Sequence, residues 1–238
     1  MTVKEISERA SQVHKEATVI QFLDPVVVRE EGVWKPEEIE YFKTLVDAGV
    51  TAINATAVRH DDLAVAISRI AELYKAIEDT EKAIIPFTAA DIDSAKEEGK
   101  VAVILGMQNP LPFEGDLNLL RVFYRLGLRI TQLAYDRQSY LGAGGGESVD
   151  HGLTDQGREA VKELNRLGIL IDVSHGGDQT AMDAAKASEY PIAITHATPS
   201  AIVVMRRGRS DEVIKAVAEK GGKRLFCYHR LFGELSGD

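Results

Sequence analysis

A chain of 238 residues that is 45% hydrophobic carries enough apolar side chains for a sizeable core, which excludes global disorder. Its formal charge of -9 at pH 7 excludes nucleic acid as the main partner, because phosphate binding needs a basic surface; the acidity reads as solubility. A single cysteine, Cys227, rules out an intramolecular disulfide and makes the cytoplasm the default compartment.

The opening stretch MTVKEISERASQVHKEA is charged and amphipathic, with neither an apolar h-region nor a small-residue cleavage site, so no signal peptide is expected. Nowhere do about 18 apolar residues run together, so no membrane span is expected. Residues 18–23 (TVIQFL) read as the first strand, followed by a polar loop whose Trp34 either lids a pocket or packs. Pro36-Glu37-Glu38 then opens a helix, with proline and acids in the turn where the dipole favours them.

Further strands are predicted over 50–56 (VTAINAT), 101–106 (VAVILG), 129–135 (RITQLAY), 169–174 (ILIDVS) and 192–196 (IAITH). Each is short and nearly continuously apolar, as strands buried on both faces of a parallel sheet must be. Helical periodicity covers 61–77, 89–98, 116–126, 155–167, 178–187 and 210–220. In 155–167 the residues Ala160, Val161, Leu164 and Leu167 form one apolar stripe, and Gly168 follows as a stop.

Strand–helix alternation implies βαβ crossovers and a parallel sheet. The glycine run at 142–146 (GAGGG) has no Lys-Ser/Thr after it and does not join a strand to a helix, so it reads as a mobile loop and not a phosphate cradle. With no nucleotide fingerprint, the expected fold is a single-domain (β/α)8 TIM-type barrel over 1–238, with its site at the C-terminal strand ends. After Gly221-Gly222 an apolar strand is due, but KRLFCYHRLFGELSGD follows. Residues 223–238 are therefore expected to be an aberrant tail, as from a shifted reading frame, leaving the barrel incomplete at its C-terminal strands. An incomplete barrel exposes strand edges, which a homodimer would cover.

Chemistry concentrates on His175, ending ILIDVSH, and His196, ending IAITH. Neutral imidazole binds zinc well, and the metal can acidify a bound water or polarise a carbonyl, although zinc usually takes three or four protein ligands. Asp172 could orient one of these imidazoles or cap a neighbouring backbone. Asp136, after Tyr135 at a strand end, would line the pocket. His14, His60 and His151 sit in polar surroundings and read as surface.

The stretches AADIDSAKEEGKVAVILGMQN, DLNLLRVFYRLGLRITQLAY, GLTDQGREAVKELNRLGILIDVSH and THATPSAIVVMRRGRSDEVIKAV, between residue 49 and about 220, resemble the membrane dipeptidase (renal dipeptidase) family of the amidohydrolase superfamily. The resemblance implies a (β/α)8 barrel and hydrolysis of a dipeptide, or a similar small amide, by a two-zinc centre. His175 and His196 match its two histidine ligands of one zinc. Arg207, in MRRG, matches the arginine that holds the substrate carboxylate, a task suited to the planar guanidinium fork.

Other positions depart from the family. Leu23-Asp24-Pro25 stands in place of its His-x-Asp, Gln108 in place of a glutamate bridging both metals, and Tyr135 in place of a histidine that contacts substrate. Gln108 and Tyr135 are thus the expected catalytic positions, and one zinc at most is expected. The leading reading is a metallodipeptidase-like hydrolase. The alternatives are an impaired barrel that binds a small carboxylate or acts as a subunit, and a metal-free acid–base enzyme using Tyr135 and a histidine.

Overall fold

A computed structural model describes residues 7–24, 36–202, 205 and 208–221. The expectations for Pro25, Trp34, Arg207 and the tail 223–238 lie outside these residues. The chain divides into two compact units: one reaches to Met107 and takes in Arg121–Ile130; the other is made of Gln108–Leu120 and the chain from Thr131 on.

The first unit is built on parallel strands. Strand β1 (Ile20–Asp24) pairs with β2 (Ala52–Val58), β2 pairs with β4 (Val101–Met107), and a two-residue β3 (Ala83–Ile84) pairs with β4. Every residue of β2 and β4 is buried, which accounts for their continuous apolar runs. The helices of this unit are α1 (Glu8–Glu16), α2 (Pro36–Asp47), α3 (Leu63–Glu78) and α4 (Ala89–Glu97). Helix α4 starts at a capping box, with Thr88 and Asp91 each bonded to the other's backbone N–H. Asn54, a buried polar side chain inside β2, donates through Nδ2 to the Phe22 carbonyl at 2.9 Å. Gly106 leaves it room, since an added Cβ there would stand 2.0 Å from Asn54 Oδ1.

At the end of β1, Asp24 is buried, and its Oδ2 accepts from Tyr41 Oη at 2.7 Å and Gln21 Nε2 at 2.9 Å. Burial, and then the hydrogen bond to and charge of the Asp24 carboxylate, push the Tyr41 phenol well above its ordinary range.

Helix α5 (Asn118–Arg125) and strand β5 (Leu128–Gln132) each begin in one unit and end in the other. The second unit holds α6 (Asp155–Leu167), β6 (Leu170–Asp172), α7 (Asp178–Ala187) and α8 (Asp211–Glu219). Helix α6 has the predicted bounds. Thr154 caps it by accepting from Gly157 N, Gly168 closes it at φ 75°, and Ala160, Val161 and Leu164 are buried on one stripe. Among the described residues no helix is long and apolar enough to cross a membrane.

One predicted strand is corrected. Residues 192–196 form no strand but bridge residues, among them a parallel bridge of Asp172 to Ala193, held by Val173 N to Ala193 O and Ala193 N to Ile171 O, both 2.9 Å. At Thr195 and His196 the backbone N–H groups donate to side chains, Asp172 Oδ1 and Ser174 Oγ, and not to a strand partner. Likewise β5 ends at Gln132, short of the predicted Tyr135, where the chain enters a tight turn.

Two outcomes test this packing. A Cβ on Gly157 would meet the backbone of Leu141, 1.9 Å from its carbonyl oxygen. Gly157→Ala should therefore lower the urea midpoint, by about 1–3 kcal/mol of stability, although alanine is the better helix former. Because folding raises the Tyr41 pKa, its contribution is complete below the ordinary phenol value near 10 and is lost as pH rises further. Denaturation at rising alkaline pH should show a steeper loss in the wild type than in Tyr41→Phe.

A two-histidine candidate site

Both predicted histidines are buried, His175 2% and His196 3% exposed, and the fold brings them together: their ring centroids are 4.9 Å apart, inclined at 59°. His175 lies just past the end of β6, and His196 just past the bridge at Ala193. Tyr135 stacks on the His175 ring at 4.0 Å and 19°, so this predicted site residue does join the pair.

Asp136 engages His175 directly, with Nδ1 2.8 Å from Oδ1. It is one of two non-glycine residues with positive φ among the described residues, at 55°, in a three-residue turn closed by Arg137 N donating to Tyr135 O. The glycine run holds that turn. Gly146 N donates to Asp136 O and Gly145 N to His175 O, both 2.8 Å, while Gly144 bridges Gly176. A Cβ on Gly144 would lie 2.3 Å from the Asp136 carbonyl carbon, and one on Gly146 2.5 Å from its oxygen. The expectation of a mobile loop is thus corrected: the run is largely buried, and its glycines allow backbone to approach backbone behind Asp136 and His175.

Behind His196 stands Asp172, 1% exposed. Its Oδ1 accepts from Ser174 N at 3.0 Å, Ser174 Oγ at 2.5 Å and Thr195 N at 3.2 Å; its Oδ2 accepts from Gln132 Nε2 at 2.8 Å and Thr195 Oγ1 at 2.7 Å. Thr195 Oγ1 in turn lies 2.7 Å from His196 Nδ1. Asp172 therefore caps backbone and backs a histidine at once, so both roles considered from sequence are present. Gln132 accepts through its amide oxygen from His175 N at 3.2 Å, so one side chain from the end of β5 holds both Asp172 and the His175 backbone. Arg209, 2% exposed, donates to Asp178, Ser174 O and Gly176 O, the carbonyls on either side of His175.

Gln132, Thr195 and Arg209 were not singled out from the sequence. The doublets Ser174-His175 and Thr195-His196, a hydroxyl before each imidazole, are the signal that could have pointed to this network. Gln108 is half-buried, immediately after β4, while Arg207 lies outside the described residues.

The donor set fits zinc in part. Two imidazoles on one tetrahedral ion place their centroids about 5 Å apart, given Zn–N near 2.0–2.1 Å, and the observed spacing agrees. Each Nδ1 has an oxygen partner that orients the ring, as ligand histidines require. Yet among the described residues no group of three or more His, Cys, Asp or Glu is placed to hold an ion. Leu23 offers no donor, and Asp24 is engaged by Tyr41 and Gln21 within its own unit. Among the described residues, the donors brought together suit one ion.

Parallel strand–helix units with imidazoles gathered past the strand ends define an α/β barrel-type fold with its site at the C-terminal strand ends. The membrane dipeptidase family (peptidase family M19) matches residues 40–224, and the chain belongs to that family. Dipeptidase tcpJ of Claviceps purpurea (strain 20.1) is 30% identical over 158 residues, 66% of this chain and 36% of that protein. An amidohydrolase structure from Pseudomonas aeruginosa superposes with a TM-score of 0.82 at 32% identity, over 91% of this chain and 64% of that one. A metallo peptidase structure from Rhodobacter sphaeroides, liganded with a phosphinate mimic of the dipeptide L-Ala-D-Ala, gives 0.72 at 21% identity, over 83% and 65%. The fold is the TIM-type barrel of these structures, present in part, and the chain spans about a third of the length of the curated relatives it matches.

The close approach behind Asp136 is testable. Gly144→Ala should displace the Asp136 turn and shift the His175 ring resonances in an NMR spectrum, with a stability loss of about 1–3 kcal/mol on denaturation.

Proposed function

We propose that this chain is a metal-dependent hydrolase of the dipeptidase type, acting on a dipeptide or similar small amide. The observation that carries the reading is the pair His175 and His196, 4.9 Å apart with each Nδ1 anchored on an oxygen. Family membership and the dipeptide mimic bound by the Rhodobacter sphaeroides relative support it.

In this reading His175 and His196 hold one zinc ion. When bound, zinc supplies a Lewis acid and lowers the pKa of a coordinated water. Asp136 and Thr195 keep the two rings in place, so that no reorientation is needed on binding. Tyr135, stacked on His175, offers a phenolic hydroxyl to orient the substrate, and Gln108 a neutral amide with both donor and acceptor. Arg207 takes the substrate carboxylate by its paired N–H groups. A chain with one cysteine suits a reducing compartment, so a cytoplasmic location belongs to the proposal, as does a homodimer that covers strand edges.

A second reading has an observation of its own. Asp24 is tied to Tyr41 and Gln21, and Gln108 brings no charge, so anionic ligands are few; this favours a barrel that binds a small carboxylate without turnover.

Zinc titration of the purified chain, followed by a dipeptide assay with and without chelator, separates the two. The hydrolase reading expects about one zinc per chain and chelator-sensitive turnover. His175→Ala should cut zinc affinity by more than the roughly 10–100-fold that loss of an orienting partner costs. A chain that takes up no zinc and turns over no dipeptide would support the binding role.

A further inference from the structure

The hydrogen-bond directions around the histidine pair can be followed from the buried carboxylate outward. Asp172 is surrounded by donors: the N–H of Ser174, the N–H of Thr195, the amide of Gln132 and the hydroxyls of Ser174 and Thr195. A carboxylate accepts and cannot donate. The 2.7 Å contact between Thr195 Oγ1 and Asp172 Oδ2 therefore needs a proton between the oxygens, and only the threonine hydroxyl carries one.

That spends the single hydrogen of Thr195. The Ser174 hydroxyl is also committed to Asp172, at 2.5 Å, and its oxygen accepts from Thr195 N at 2.8 Å and His196 N at 3.0 Å. The weaker 3.3 Å contact between the two hydroxyls supplies no spare hydrogen. In the remaining contact, 2.7 Å from Thr195 Oγ1 to His196 Nδ1, the oxygen must accept, so the ring must donate. The reverse assignment would leave two acceptor oxygens facing each other at 2.7 Å in a site sealed from water.

His175 reaches the same state by a shorter route, because its Nδ1 faces the Asp136 carboxylate at 2.8 Å. We infer that both imidazoles are fixed as Nδ1–H tautomers, leaving Nε2 as the acceptor nitrogen of each, and that Asp172 is the positioning residue for His196, acting through the Thr195 hydroxyl. Imidazole without such partners samples both tautomers, and only a nitrogen bearing a lone pair can bind a cation. These hydrogen bonds thus set which nitrogen of each ring can accept before any ligand arrives. The use of that readiness in hydrolysis rests on the function proposed above; the tautomers themselves do not.

The test is a long-range proton–nitrogen NMR spectrum of the metal-free, 15N-labelled chain at roughly pH 8, above the ordinary imidazole range. His175→Ala and His196→Ala variants assign the signals. Both rings should show the Nδ1–H pattern alone. Thr195→Val, which keeps the shape and removes the hydroxyl, should turn His196 into a mixture while His175 is unchanged, and Thr195→Ser should restore it. Zinc affinity of Thr195→Val should fall about 10–100-fold, as for loss of an orienting partner. A wild-type His196 that is Nε2–H or mixed overturns the inference, as does a Thr195→Val chain whose His196 remains purely Nδ1–H. If the tautomers are as assigned but the wild type binds zinc no better than His175→Ala, the proposed function fails and the positioning role stands.

Discussion

Everything at the candidate site leans on a carboxylate removed from water. An ionised group so deeply buried is costly unless its lone pairs are met by donors, and Asp172 meets five. Satisfying it sets the path of three chain segments. The end of β5 brings Gln132, the end of β6 brings Ser174, and the segment beyond Ala193 brings Thr195. The backbone N–H groups of Ser174 and Thr195 turn to this carboxylate and not to a strand carbonyl. The histidines are one residue further on, so their mutual position follows from the same bonds.

A second constraint works from the other side of His175. Glycines at 144 and 146 let the loop run against the Asp136 turn, and Arg209 draws together the carbonyls of Ser174 and Gly176. A buried guanidinium needs acceptors as a buried carboxylate needs donors, and two backbone carbonyls with Asp178 supply them. The Asp136 backbone, in a conformation uncommon for a side-chain-bearing residue, is held there by packing. Imidazole orientation is over-determined, which is what a site that binds a small cation or a reacting group requires.

Charge bears on how far the proposed site can follow the two-metal arrangement that the family resemblance implies. Two neighbouring dications need anionic ligands between and around them, since amides and hydrocarbons leave their repulsion uncompensated. At the positions that the resemblance would pair with those ligands this chain has Leu23 and the neutral Gln108, and Asp24 accepts from a tyrosine and a glutamine. In the proposed function the two imidazoles begin a single-ion site.

From sequence alone the parallel α/β class, the bounds of α6 and α7, and the place of His175 and His196 at the ends of apolar runs were legible, because each is written in contiguous residues: periodicity, a stop glycine, an apolar run ending in a histidine. What tertiary structure alone decided is set by partners far apart in the chain. Gln132 meets Asp172 from 40 residues away, and Asp136 meets His175 from 39. No local pattern reveals that 192–196 surrenders its ladder to a carboxylate, or that GAGGG is buried backing. Local pattern fixes which faces are apolar; the direction of a hydrogen bond between distant side chains exists only once the fold has brought them within 3 Å.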